Sequence, residues 1–355
     1  MIPVTKSFIP PIEEYTFQIQ RAFKSEWLTN RGELVRELEH RIKDYLGLSS
    51  ILLTNNGTIP IQIALKLLGN GGEIITTPFS YIATTAAIVW ENCTPIFVDI
   101  KPDTLTIDSS KIEAVITSKT TCILATHVFG NPCDIYEIEI IAKKYNLKVI
   151  YDAAHCFGVE YDGKSIFEFG DISTTSFHAT KLFHTGEGGA IFCKDEDLMQ
   201  KIYYSHNFGH SGLLDFKGLG INAKMSELSA AMGLAVLPHV SEIIKERKNI
   251  IDFYLANLKP NKIQKLTIHE NCKWNYSYFP ILFKSKSELE LKLEKLNSMD
   301  VFPRKYFSPS LNKIEYVNYQ SMPISEDVSS RILCLPLYVG LEQFYIQKIV
   351  NIINE

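Results

Sequence analysis

The stretch SFHATKLFHTGEGGAIF, residues 176–192, sets a lysine between a polar turn and a glycine cluster that runs on into an apolar segment. Lys181 is the candidate nucleophile. An amine condenses with an aldehyde only when unprotonated, so such a lysine needs a partly desolvated site beside cationic or hydrogen-bonding groups. The small and polar neighbours of Lys181 suit that. A lone loop lysine is ordinarily a solvated surface charge, and what sets Lys181 apart is its company. Asp152 ends the run KVIYD, 148–152, and the carboxyl ends of strands are where open α/β sheets place ligand groups. A carboxylate there suits the protonated ring nitrogen of an electron-accepting cofactor. Taken alone, Asp152 serves equally as a helix cap, since AAHCFG follows. His155 is placed to reach a phenolic oxygen of the same ring, although a single histidine is more often structural.

A phosphate-bearing cofactor also needs an anion site. The segment TNNGTIPIQIAL, 54–65, reads as a strand end, a glycine turn and a helix start with Pro60 in its first turn. Backbone N–H groups at that helix start are expected to face a phosphate, with Gly57 permitting close approach and the Thr58 hydroxyl adding a donor. Any βα turn can read this way, so the signal is weak by itself. Tyr81, in PFSYIATT, is an aromatic that could stack on a flat ring or equally belong to the core.

The elements that must position these residues follow an α/β rhythm. Short apolar runs at 51–54, 73–77, 95–99, 122–127 and 148–152 alternate with segments of helical spacing such as 59–68 and 134–146. That pattern predicts a largely parallel sheet covered by helices, extended by DISTTSF and GGAIFC. SELSAAMGLAVLP, 226–238, reads as an amphipathic helix stopped by Pro238, and beyond residue 245 the pattern turns α+β. The expected division is a large domain with an N-terminal arm over 1–244 and a smaller α+β domain over 245–355. A chain of 355 residues with 46% hydrophobic content can bury a sizeable core. Its 36 basic and 40 acidic side chains leave a formal charge of -4 without a basic run, which argues against nucleic-acid binding. Seven cysteines without a CxxC pair suggest neither a zinc cluster nor a disulfide framework, so no metal is expected. Without a signal-like amino terminus or a membrane-length apolar run, the expected location is the cytoplasm.

Together these residues resemble the DegT/DnrJ/EryC1/StrS family of sugar aminotransferases, which share the aspartate-aminotransferase fold and use pyridoxal 5'-phosphate. The likeness runs from WLTNRGELVRELEHRIKDYLG through NNGTIPIQIAL, TTPFSYIATT, THVFGNPCDI, YDAAHCFGVEYDGK and SFHATKLFHTGEGGA to GINAKMSELSAAMGL, RKYFSP and LCLPLY, in the family's order. The resemblance implies that Lys181 carries the cofactor, that Asp152 faces its pyridine nitrogen and that His155 lies beside its ring oxygen. It implies that Tyr81 stacks on the ring, that Gly57, Thr58 and Ser176 contact the phosphate, and that Asn222 reaches the phosphate of a neighbouring subunit. A homodimer with shared active sites is the expectation that follows. Asn56 and Lys224 stand where Ser and Arg are common in the family.

By family habit the amino donor is glutamate and the acceptor a nucleotide-linked keto-sugar. Arg31, Lys224 and Arg304 are the candidates for its phosphates, with Thr29 and His184 as further substrate-side candidates. SFHATKLFHTGEGGA looks more like members acting on the 4-keto group of a dTDP-4-keto-6-deoxyhexose than like the 3-keto branch, where a proline and glycine stand in place of His178 and Ala179. The expected product is a 4-amino-4,6-dideoxy sugar nucleotide destined for a surface polysaccharide such as O-antigen, or for a glycosylated metabolite. A 3-keto enzyme and a non-catalytic, cofactor-binding regulator are the competing readings. A Rossmann oxidoreductase is disfavoured because no GxGxxG follows the first strand.

Overall fold

The apolar runs of the first half of the chain lie side by side in one seven-stranded sheet in the computed structural model, which describes residues 1–355. The strand order is Leu52–Thr54, Gly189–Phe192, Ile172–Ser176, Lys148–Asp152, Thr120–Thr126, Glu73–Thr76, Thr94–Phe97. Only Gly189–Phe192 runs antiparallel to its neighbours. Strands covered on both faces must be apolar throughout, which is why Lys148–Asp152 is buried at every position after its first.

Helices Thr58–Leu68, Ile82–Trp90 and Ile135–Tyr145 make the parallel crossovers. Helix Glu33–Leu46 lacks a capping side chain of its own. Its first N–H groups are satisfied from afar, since the buried Glu227 carboxylate accepts from Leu34 N–H at 2.7 Å. That bond ties the helix to Glu227–Val236, whose face joins a cluster of 42 buried residues together with Leu38 and Ile42. Each fully buried Leu or Ile there contributes about 1.5–3 kcal/mol relative to exposure.

A second cluster of 22 buried residues surrounds the antiparallel sheet of Gln264–Lys265, Phe279–Leu282 and Ile332–Leu335. Helices Lys286–Asn297, Pro323–Arg331 and Gln343–Asn354 accompany it, giving an α+β unit. The expected division at residue 245 falls inside a continuous helix, Val240–Asn257. Val240 and Ile243 of that helix pack in the first core, whereas Ile250, Ile251 and Tyr254 pack in the second. The amino terminus also joins the second unit, because Ile2–Pro3 pairs parallel with Val301–Phe302. The run Glu227–Asn257 has the length and apolarity of a membrane span by composition, and 56% of its apolar window is buried within the protein.

Lys181 is held by the hairpin between Ile172–Ser176 and Gly189–Phe192. Phe177 N–H donates to the Gly188 carbonyl and Ala179 N–H to the Gly186 carbonyl, each at 2.8 Å. Phe177 and Phe183, both fully buried, anchor the loop against Phe157.

Candidate active site

The carboxyl ends of the parallel strands open into a cavity of about 270 Å³. Gly57, Thr58, Tyr81, Asp152, His155, Ser176 and Lys181 all line it. A larger cleft of about 870 Å³, beside Tyr45, Lys194 and Trp274, contains none of them. We take the smaller cavity as the site because the titratable groups converge there.

Asp152 is 5% exposed. Its Oδ2 accepts from Thr84 Oγ1 at 2.6 Å and its Oδ1 from Ala154 N–H at 3.2 Å. Burial pushes its carboxyl above the ordinary aspartate range, while the Thr84 hydroxyl, the Ala154 N–H and Lys181 pull the other way. Burial likewise lowers the Lys181 amine below the ordinary lysine value, against the attraction of Asp152. The Lys181 amine lies 5.8 Å from the centre of the Tyr278 ring. The Nδ1 of His155 accepts Phe129 N–H at 3.0 Å, so in the neutral ring the proton sits on Nε2. Burial, and then the neighbouring Lys181, hold that imidazole well below its usual titration range.

The pyridoxal phosphate implied by the resemblance can be tested against this geometry. A Cβ on Gly57 would lie 2.5 Å from Ser176 Cβ, so the turn can sit this close to Ser176 only because residue 57 is bare backbone. Two N–H groups of the helix start do not face a ligand as expected. Asn56 Oδ1 accepts from Thr58 N–H at 2.8 Å and from Ile59 N–H at 3.0 Å. The side-chain donors left to an anion there are the hydroxyls of Thr58 and Ser176. With a buried carboxylate, a deprotonatable amine and an Nε2–H donor in the same cavity, the residues fit the cofactor.

The substrate-side expectations divide. Arg304 lines the cavity at its rim, its guanidinium 3.5 Å from Tyr306 Oη. Arg31 does not reach the cavity, because it is paired with the buried Glu39 at 2.8 Å. His184 is fully enclosed, and its Nε2–H donates to the Phe8 carbonyl at 2.7 Å, fastening the N-terminal arm. Lys224 donates to Asn207 Oδ1 at 2.9 Å and lies 4.6 Å from the Phe208 ring centre. Thr29 and Asn222 are exposed and outside the cavity of their own chain. Sequence reasoning missed Tyr278, Tyr306 and Phe307, which close the cavity from the second unit. Phe307 stacks on His155 with ring centres 5.9 Å apart. The aromatic density of YSYF and KYF was the available signal.

Sheet, lysine hairpin and small α+β unit are those of the aspartate-aminotransferase-like fold, and the crystal structure described as DesI in the presence of its TDP-sugar product superposes with a TM-score of 0.94 at 30% identity, covering 99% of this chain and 92% of that one. The protein is thus an aminotransferase. More narrowly, the chain belongs to the DegT/DnrJ/EryC1/StrS aminotransferase family, whose pattern matches residues 12–354. It is 40% identical to a dTDP-4-amino-4,6-dideoxy-D-glucose transaminase of Shigella dysenteriae over 99% of this chain and 98% of the relative. It is 38% identical, with the same coverage, to a transaminase of that name from Escherichia coli.

Proposed function

We propose that the protein moves an amino group from glutamate to the 4-keto carbon of dTDP-4-keto-6-deoxyglucose, using pyridoxal 5'-phosphate, in the cytoplasm. The observation that carries this reading is the convergence of the Lys181 amine and the buried Asp152 carboxylate on one cavity, in a chain 40% identical to a transaminase named for the 4-amino product. Bound there, the cofactor supplies an electron-accepting ring and the carbon through which the amino group passes. Asp152 holds a proton on the ring nitrogen, and His155 donates Nε2–H to the ring oxygen. The hydroxyls of Thr58 and Ser176 hold the phosphate, and Tyr81 covers one face. The Lys181 amine, its basicity lowered by burial, removes a proton at the donor Cα and delivers one at the sugar C4.

The Arg304 guanidinium at the rim is the charge best placed for the nucleotide phosphates. His178 supports the 4-keto assignment. Its Nδ1 lies 2.8 Å from Thr180 Oγ1, which fixes an imidazole at the cavity edge. A homodimer is supported by the exposure of Leu213 and Leu214, at 96% and 89%, in the loop that leads to Asn222. The test is incubation with glutamate and a panel of nucleotide keto-sugars, with NMR of the product. Nitrogen at carbon 4 is expected; nitrogen at carbon 3 would transfer the protein to the 3-keto branch, and no amino-sugar would refute the catalytic assignment.

A further inference from the structure

Asp152 is the terminus of a chain of buried hydroxyls. Thr84 Oγ1 donates to Asp152 Oδ2 at 2.6 Å. Ser80 Oγ lies 2.7 Å from Thr84 Oγ1, and Thr126 Oγ1 lies 3.1 Å from Ser80 Oγ. Thr84, Ser80 and Thr126 are 0%, 1% and 5% exposed, so bulk water does not compete for these groups. A hydroxyl has a single proton. The proton of Thr84 is committed to the carboxylate, so its oxygen accepts from Ser80. Ser80 has then spent its own proton, and its oxygen accepts from Thr126. Every proton in the chain therefore points toward Asp152, the arrangement in which successive hydrogen bonds polarise one another.

The chain has no structural partner to explain it. Buried Ser and Thr side chains near a helix start ordinarily bond local backbone groups. Ser80 and Thr84 flank the start of helix Ile82–Trp90, yet the hydrogen bonds of their hydroxyls run to each other, to Thr126 and to Asp152.

We propose that Thr126, Ser80 and Thr84 form a one-way hydroxyl relay that sets the charge on Asp152 and through it the protonation of the bound cofactor's ring nitrogen. Thr84 is a positioning residue in this scheme, acting only through the carboxylate. The inference rests on the assignment of Asp152 to that nitrogen, and the test separates the two.

The holoenzyme is loaded with pyridoxal phosphate carrying 15N at the ring nitrogen and titrated by NMR, with a thermal melt confirming that each variant folds. Thr84→Val removes the hydroxyl at nearly constant size. The Asp152 carboxylate, no longer partly neutralised by the hydroxyl proton, becomes more basic. The ring nitrogen is therefore expected to lose its proton about one pH unit higher than in the unaltered protein, a tenfold change, as one charge-assisted hydrogen bond should give. Thr84→Ser is expected to restore the original midpoint. Ser80→Ala, which leaves the last bond intact and also serves if the valine variant does not fold, is expected to shift it in the same direction by less. Unchanged midpoints in Thr84→Val and Ser80→Ala, alongside a lowered midpoint in Asp152→Asn, would overturn the relay alone. An unchanged midpoint in Asp152→Asn would overturn the Asp152 assignment and the relay with it.

Discussion

Replacing Gly57 by Ala is the sharpest probe of how the fold makes the cofactor cradle. The added Cβ would lie 2.5 Å from Ser176 Cβ and 2.9 Å from both its Cα and its Oγ. Carbon atoms in good contact sit about 3.5–4.0 Å apart, so one side must retreat by roughly 1 Å. Neither side is free to do so. Ser176 pairs with Gly189 at the base of the Lys181 hairpin, and the turn before Gly57 is pinned by Asn55 N–H on the Ala223 carbonyl at 2.8 Å. The backbone angle at Gly57, φ -87°, suits alanine, so the whole effect comes from the contact. Overpacking of this kind costs about 1–3 kcal/mol. Because the strain moves the Thr58 and Ser176 hydroxyls apart, we expect cofactor affinity to fall about ten- to a hundredfold, at about 1.4 kcal/mol per decade. Titration of the cofactor-free protein with pyridoxal phosphate, followed by visible absorbance, measures this, and a thermal melt should fall by a few degrees. Unchanged affinity together with an unchanged melting temperature would refute the cradle argument.

Two further outcomes follow from other parts of the molecule. Inactive Lys181→Ala protein mixed with an inactive Asn222→Ala variant should recover part of the activity in hybrid dimers, and a fully active monomer would exclude the shared site. Burial holds His206 down to about 4, with its Nε2–H on the Leu53 carbonyl at 3.1 Å. The unfolded chain, whose histidine titrates near about 6.5, then takes up this proton first. Stability present above that pH is lost as pH falls toward the folded value, by about 1.4 kcal/mol per pH unit for one proton. Urea unfolding of His206→Gln should show a pH slope smaller by that amount between pH 6.5 and 4, and an unaltered slope would show that His206 does not carry it.

What was legible in the sequence was what local pattern determines. Strands covered on both faces announce themselves as apolar runs, and KVIYD has the same bounds as the strand Lys148–Asp152. Residues at the carboxyl ends of such strands are brought together by the sheet itself, which is why Gly57, Asp152 and Ser176 meet Lys181 in one cavity. The rest depends on partners that packing supplies. Arg31 and His184 read as free polar groups because nothing local tells that Glu39 and the Phe8 carbonyl, the latter 176 positions away, will bind them. Tyr306 and Phe307 lie far along the chain and reach the cavity only through a cluster in which Phe307 packs with Phe79, Val128 and Phe129 of the large unit. The Asn56 cap was hidden for a different reason: an asparagine before a glycine turn and an asparagine capping the next helix look the same in sequence. The domain division was placed where the pattern changes, but helix Val240–Asn257 carries its apolar face through that point and serves both cores.

Covalent trapping tests the proposed role of Lys181 as the amine that carries the cofactor. The protein is saturated with pyridoxal phosphate, reduced with borohydride, digested and mapped by mass spectrometry. A single cofactor-bearing lysine at position 181, absent from Lys181→Ala, is the predicted result. Modification of a different lysine, or of none, would contradict the account.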